Sequence, residues 1–252
     1  FPEPAEGDGS QSASLRDDVP TENYLKNSGR HLLLIVPWMS MGGADRFNLD
    51  LMAQLQDHGW RFSVVATLSD KSDWLSEYAR FTPDLFILEN FITPEDYAYF
   101  LRYLVESRQI DAILNTHSEF GYRLLPYLRA YLPHVAFVDY CHIEELEWKN
   151  GGYPRFSLDY TDMLDRHIVS SQHLRSWMLH RGAESAKVSV SYTGTPFSHP
   201  DRTTLPKEVE LFLENTADAP VILFAGRICR QKQPDVLFKT VQKLRQEAAK
   251  FR

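Results

Sequence analysis

Apolar positions along this chain alternate between two rhythms. Short apolar or β-branched runs predict strands at Leu32–Val36, Arg61–Thr67, Leu85–Leu88, Ala112–Asn115, Val135–Tyr140, His167–Ser170, Lys187–Val190 and Val221–Ala225. Between them, apolar residues recur every three or four positions. In the first such stretch Phe47, Leu51, Met52 and Leu55 predict a helix that opens at Gly42-Gly43 and ends at Gly59. Further helices are predicted over Trp74–Arg80, Thr93–Gln109, Glu119–Leu132, Asp159–Asp165, Gln172–Arg181, Leu205–Asn215 and Asp235–Lys250. Thr93-Pro94-Glu95-Asp96 is a strong helix start, with a capping threonine, an early proline and two acids against the positive end of the dipole. Pro126 is expected to kink or break its helix. Strand and helix in alternation predict an α/β fold: a Rossmann-like parallel sheet with helices on both faces.

The remaining stretches lack either rhythm. Residues 1–29 are rich in Pro, Gly, Ser and acids and are expected to form a flexible leader or linker. The expected organisation is an N-terminal domain over 30–193, a linker with a short helix over 194–220, and the beginning of a second domain over 221–252. The polar loop from Cys141 to Phe156 is long for a domain connection, which points to function or mobility.

Composition narrows the class. With 252 residues, 43% hydrophobic and 13% aromatic, the chain can fill a sizeable core. Its net charge of -7 argues against a general nucleic-acid or membrane-surface binder. No apolar run is long enough to span a bilayer. Two cysteines, Cys141 and Cys229, make a disulfide framework or a cysteine metal site a poor expectation and point to the cytoplasm. A first residue other than Met and a last residue inside a helical pattern suggest a segment of a longer protein.

In an open parallel sheet, ligands bind beyond the carboxyl ends of the strands. Those ends select the loops at Trp38–Gly43, Thr116–Glu119, Tyr140–Glu145 and Gly226–Lys232. Gly42-Gly43 would either place backbone N–H groups before a ligand or allow helix and strand to pack closely. It is not a dinucleotide fingerprint, since neither G-x-G-x-x-G nor a Gly-Lys-Ser/Thr phosphate loop occurs. That absence also speaks against a nicotinamide-dependent enzyme. His117, Glu119 and His142 follow strands and could bond sugar hydroxyls or move a proton, or could be ordinary solvated loop residues. Arg227 and Lys232 flank a helix start and suit a diphosphate; a solvated basic loop is the alternative.

Together these residues resemble a known family. MGGADRFNLDLMAQL is similar to the Gly-Gly-Ala-x-Arg segment of the retaining glycosyltransferases of family four, which have the GT-B fold of two facing Rossmann-like domains. VDYCHIEELEW, HIVSSQHLRSWM, VSVSYTGTP and FAGRICRQKQPDVLF agree with the same family in order and spacing. The resemblance implies transfer of a sugar, with retention, from a nucleoside-diphosphate sugar to a glycan, lipid or other acceptor. By the same resemblance Gly42 and Gly43 line the donor-binding cleft, His142 is the active-site histidine, and Arg227 and Lys232 hold the pyrophosphate. His117 and Glu119 are weaker, acceptor-side equivalents. No cofactor or metal is expected, and the partners implied are the nucleotide sugar, a carbohydrate or lipid-linked acceptor and other domains of a longer chain. Peripheral membrane association of the full-length protein is compatible with this, and nucleic acid is not an expected partner.

The chain departs from the family in two places. No pair of glutamates separated by seven residues follows a Gly-rich loop between Glu208 and Glu247, so the donor site is expected to be incomplete and this segment inactive alone. Tyr192-Thr193-Gly194-Thr195-Pro196 replaces the family's more usual Asn-Gly-Val-Asp. The competing expectation is a non-catalytic glycan-binding or assembly module on the same fold. Trp148, Tyr153 and Phe156 would form a sugar platform or pack their loop down, packing being the commoner role of such rings.

Overall fold

A computed structural model describes residues 29–69, 72–194, 206–215, 220–247 and 251 of the chain. The expected leader lies outside the described residues apart from Gly29, as does most of the linker between Gly194 and Pro206. The chain divides after Gly194 into two compact units.

In the first unit the strands are β1 (His31–Val36), β2 (Arg61–Ala66), β3 (Leu85–Ile87), β4 (Ala112–Thr116), β5 (Ala136–Cys141), β6 (Arg166–Val169) and β7 (Val188–Val190). They form one seven-stranded sheet in the order β3-β2-β1-β4-β5-β6-β7, and all six pairings are parallel. The helices are α1 (Gly43–Gln56), α2 (Leu75–Tyr78), α3 (Tyr97–Arg108), α4 (Glu119–Tyr131), α5 (Tyr153–Asp159) and α6 (Gln172–Leu179). They cover both faces, because β1 is apolar on both. Leu33 and Ile35 join a core with Leu101, Leu104 and Val105 of α3 and Tyr122, Leu125 and Leu128 of α4. Leu32, Leu34 and Val36 join another with Leu49 and Met52 of α1 and with Tyr78. Successive strand residues point to opposite faces, so one apolar run feeds two cores.

Most expected elements appear within a residue or two. Pro126 does not break α4, which is helical throughout. The buried face of Tyr122, Leu125 and Leu128 holds the helix across the missing hydrogen bond. The helix expected over Asp159–Asp165 lies earlier: α5 starts at Tyr153, where Pro154 suits the first turn, and Thr161–Met163 adds only a 3-10 turn. The preceding loop is therefore shorter than expected and is closed by an antiparallel bridge between Glu145 and Gly151. Lys149, Asn150, Gly151 and Gly152 all have positive φ. At Gly151 a Cβ would lie 2.5 Å from the Trp177 ring, so this turn needs its glycine.

The second unit contains α7 (Lys207–Glu214), a 3-10 turn at Arg230–Lys232 and α8 (Pro234–Gln246). Val221–Ala225 is not a strand. A strand needs a neighbour to take its N–H and C=O groups, and none lies beside it among the described residues. Its apolar residues are correspondingly open, Leu223 being 82% exposed. Among the described residues no helix is long and apolar enough to cross a membrane.

The sheet also carries a polar cluster in which Tyr122, Asp139, Ser157 and His167 are fully buried. The Asp139 carboxylate of β5 accepts the Tyr122 hydroxyl at 2.7 Å, and His167 Nδ1 of β6 lies 3.2 Å away. Ser157 Oγ is 2.7 Å from the same ring nitrogen and Thr161 Oγ1 2.9 Å from the other. Serine and aspartate thus meet one nitrogen of the imidazole, whereas a hydrolytic triad needs them on opposite nitrogens. The cluster ties α4 and α5 to the sheet. Asp139→Ala strands the Tyr122 hydroxyl and His167, and its expected cost is about 3 kcal/mol in unfolding by chemical denaturant.

Candidate functional site

The carboxyl ends of β1, β4 and β5 and the helix starts that follow form one edge of the sheet. After β1, Gly42 is extended (φ -171, ψ 166), and its carbonyl accepts the Arg46 N–H at 2.9 Å. Gly43 is the first residue of α1. Neither residue needs to be glycine for the fold. A Cβ on Gly42 would meet only Asp45 Oδ2, at an ordinary 3.6 Å, and one on Gly43 would meet nothing. Close packing of helix on strand, one of the two readings from sequence, therefore does not explain the pair.

Beneath this loop lies a group the sequence reading missed. Asp45 is buried, and its carboxylate accepts the Tyr78 hydroxyl at 3.0 Å together with the backbone N–H groups of Ser40 and Asp45. Burial outweighs these donors and pushes its pKa up to about 6. Asn48, one turn along, donates to the Tyr78 oxygen at 3.3 Å and to Thr116 Oγ1 at 3.2 Å. The signal was present: Asp45, Asn48, Leu49 and Met52 keep helical spacing and are the buried face of α1. The apolar spacing of Phe47, Leu51, Met52 and Leu55 finds Met52 on this face and the other three half-buried beside it, but passes over the polar Asp45 and Asn48.

His117 follows β4 with a left-handed φ of 59°, which turns the chain before Ser118 caps α4 by accepting the Gly121 N–H at 3.0 Å. His142 follows β5. The two imidazoles meet, their ring centres 4.7 Å apart. Tyr153 lies 4.8 Å from His117, while Tyr140 and Phe47 lie 4.6 and 4.9 Å from His142. Phe47 thus joins the glycine-started helix to the histidine pair. Burial lowers the pKa of His117 to about 3, with the neighbouring His142 adding to the effect, and that of His142 to about 4. Both rings are neutral near pH 7. His142 Nε2 is buried and has no hydrogen-bond partner, and such a nitrogen bears a desolvation cost until a ligand meets it.

Glu119, the first residue of α4, pairs with Lys149 at 2.6 Å and with Arg123. The Lys149 bond, ahead of Arg123, holds its carboxyl below the usual range. It pins the 142–152 loop to α4. Trp148, Tyr153 and Phe156 pack on one another, with ring centres of Trp148 4.9 Å from Tyr153 and 6.1 Å from Phe156. Tyr153 and Phe156 also pack against the core.

Arg227 and Lys232 belong to the second unit, and both are exposed. The 3-10 turn brings the Lys232 stem back to Gly226: a Cβ there would be 3.7 Å from Lys232 Cγ. Arg227 and Lys232 thus flank one turn ahead of α8. Among the described residues no group of three or more His, Cys, Asp or Glu side chains is placed to hold a metal ion.

The fold is shared with known proteins. Among solved structures, HepE of Anabaena in complex with UDP-glucose is 14% identical with a TM-score of 0.58, covering 84% of this chain and 57% of its own. The lipopolysaccharide outer core galactosyltransferase WaaB in its apo form is 13% identical, TM-score 0.56, covering 79% and 53%. A glycosyltransferase from Rickettsia africae is 14% identical, TM-score 0.56, covering 81% and 54%. At such identities the likeness is one of fold, that of the GT-B glycosyltransferases, and the chain spans a little over half the length of each. No curated protein matches the chain by sequence. The profile of Glycosyltransferase Family 4 matches residues 41–199, from the residue before Gly42-Gly43 to beyond β7 and so well over half of the sequence; the chain belongs to that family.

Proposed function

We propose that the chain provides the acceptor-side domain, and the start of the nucleotide-sugar-binding domain, of a retaining glycosyltransferase that works without a metal. The observation that carries this reading is the neutral His142 ring, its buried Nε2 unpartnered, beside a helix start whose two glycines the fold itself does not require. An uncharged imidazole can bond a sugar hydroxyl without attracting the diphosphate away from its own site. Glycines with open space above them let a ligand approach backbone N–H groups at the positive end of α1. Arg227 would meet the diphosphate with forked bonds and Lys232 as a point charge, stabilising the leaving group. HepE was solved with UDP-glucose, and a nucleoside-diphosphate sugar is the donor class carried over from it. His117 and Glu119 are proposed on the acceptor side, His117 by its contact with His142 and Glu119 by fixing the loop above. The acceptor is a glycan or lipid-linked sugar, and the proposed location, on cysteine usage, is the cytoplasm.

The test is a thermal-shift and turnover screen of the full-length protein against nucleotide sugars. A stabilising donor and measurable transfer or hydrolysis are expected, with Arg227→Ala lowering the rate by about a hundredfold or more. An unchanged rate in that variant removes the phosphate role. Sugar binding without any turnover favours the glycan-binding or assembly module.

The half-buried imidazoles also set a pH dependence of stability. Between pH 6.5, the ordinary histidine value, and about 4, the unfolded chain takes up protons that His117 and His142 resist in the fold. Their contribution is complete above 6.5 and is lost as pH falls. Asp45, raised from 3.8 to about 6, acts in the opposite sense, because the folded carboxyl is protonated first. Two imidazoles outweigh one carboxyl, so the denaturation midpoint is expected to fall on acidification through this window. His142→Gln should flatten the slope.

A further inference from the structure

Resting on that reading, we propose that Asp45 is a positioning residue: through Tyr78 and Asn48 it fixes the Gly42-Gly43 loop relative to the strand end that carries His117. The carboxylate takes the N–H of Ser40 from before the glycines, tying the start of α1 back to the approach of the loop. Its other donor from outside the residue, Tyr78, comes from α2, at 3.0 Å. The Tyr78 oxygen in turn accepts from Asn48 at 3.3 Å, and the same Asn48 amide donates to Thr116 Oγ1 at 3.2 Å. His117 is the next residue. One line of hydrogen bonds therefore runs from the glycine loop, under α1, to the edge where the imidazoles meet. Every side chain in it is buried: Asp45, Asn48, Tyr78 and Thr116.

Two features separate this role from ordinary helix support. Arg46, beside Asp45 in sequence, turns outward to Asp50 at 3.0 Å, so no cation compensates the buried carboxylate from within α1. An uncompensated buried carboxylate is an expensive way to start a helix, for which an exposed Ser or Asp cap suffices. The loop it closes also has no side chain of its own at Gly42 or Gly43 to define its shape. Two glycines leave the backbone free, and the hydrogen bonds to Asp45 restrict it to one conformation. Asparagine at position 45 keeps the size but presents one acceptor oxygen and one donor group where the carboxylate offers two acceptor oxygens to Ser40 and Tyr78.

The experiment measures the affinity of the full-length protein for UDP-glucose, UDP-galactose, UDP-N-acetylglucosamine and GDP-mannose by calorimetry, with amide hydrogen exchange of residues 40–45. Asp45→Asn is expected to weaken binding of whichever of these the wild type binds by about tenfold, and to speed exchange of the Ser40 amide by a similar factor. Tyr78→Phe should produce a smaller loss in the same direction. Leu104→Ala, in the core on the other face of the sheet, should lower the denaturation midpoint at least as much while keeping the wild-type affinity. Wild-type affinity in both Asp45→Asn and Tyr78→Phe, with a donor bound by the parent protein, overturns the positioning role alone. An equal affinity loss in Leu104→Ala overturns it too, by reducing the effect to stability. A parent protein that binds none of the four overturns the underlying reading.

Discussion

Burial of β1 on both faces is the constraint from which the rest of the first unit follows. A strand with no solvated face must find a pairing partner along each edge and a helical layer above and below. Here β2 and β4 supply the edges, α1 one cover, and α3 and α4 the other. Parallel pairing obliges the chain to cross over after every strand, so all the strand ends that lead into helices collect at one edge. The register of β4 with β5 places Thr116 opposite Tyr140. One residue beyond the first and two beyond the second stand His117 and His142, and their rings meet. The histidine pair is thus a consequence of sheet register, fixed by apolar residues far from it.

Polar groups inside such a sheet are costly, and two of the hydrogen-bonded sets this protein buries tie its layers together. The cluster around Asp139 and His167 lies within the layers and joins α4 and α5 to β5 and β6. The line from Asp45 to Thr116 lies under the site edge and joins α1, α2 and β4. Buried polar networks of this kind specify one arrangement of their layers, since a shifted helix leaves several groups unsatisfied together. His142 Nε2, at the edge of the sheet, is one of the buried polar atoms without a partner, and the desolvation it bears is relieved only when a donor or acceptor meets it.

The second unit shows the opposite condition. Its apolar residues Leu223, Ile228 and Phe238 are largely exposed, and among the described residues Val221–Ala225 has no neighbouring strand. Apolar runs specify a strand only where a sheet receives them. Local chemistry nevertheless holds there: Pro234 starts α8, and the turn before it keeps Lys232 against Gly226.

The sequence by itself determined the elements and the family. Strand and helix periods, the Gly42-Gly43 start, the Gly59 stop and the ordered motifs are local, so they could be read from neighbours along the chain; Thr93 makes no side-chain cap bond, and Pro94–Asp96 opens a 3-10 turn ahead of α3. Local reading fell short where a distant partner decided: α4 runs unbroken through Pro126 because it is packed along its length, and Val221–Ala225 is not a strand because none adjoins it among the described residues. It also passed over Asp45 and Asn48 on the buried face of α1, since apolar spacing does not register a polar residue that the fold buries. Only the tertiary structure revealed that Asp45 is buried, that His117 and His142 touch and are neutral, and that Glu119 is occupied by Lys149. Each of these depends on desolvation or charge from residues remote in sequence, and those quantities exist only once the layers are assembled.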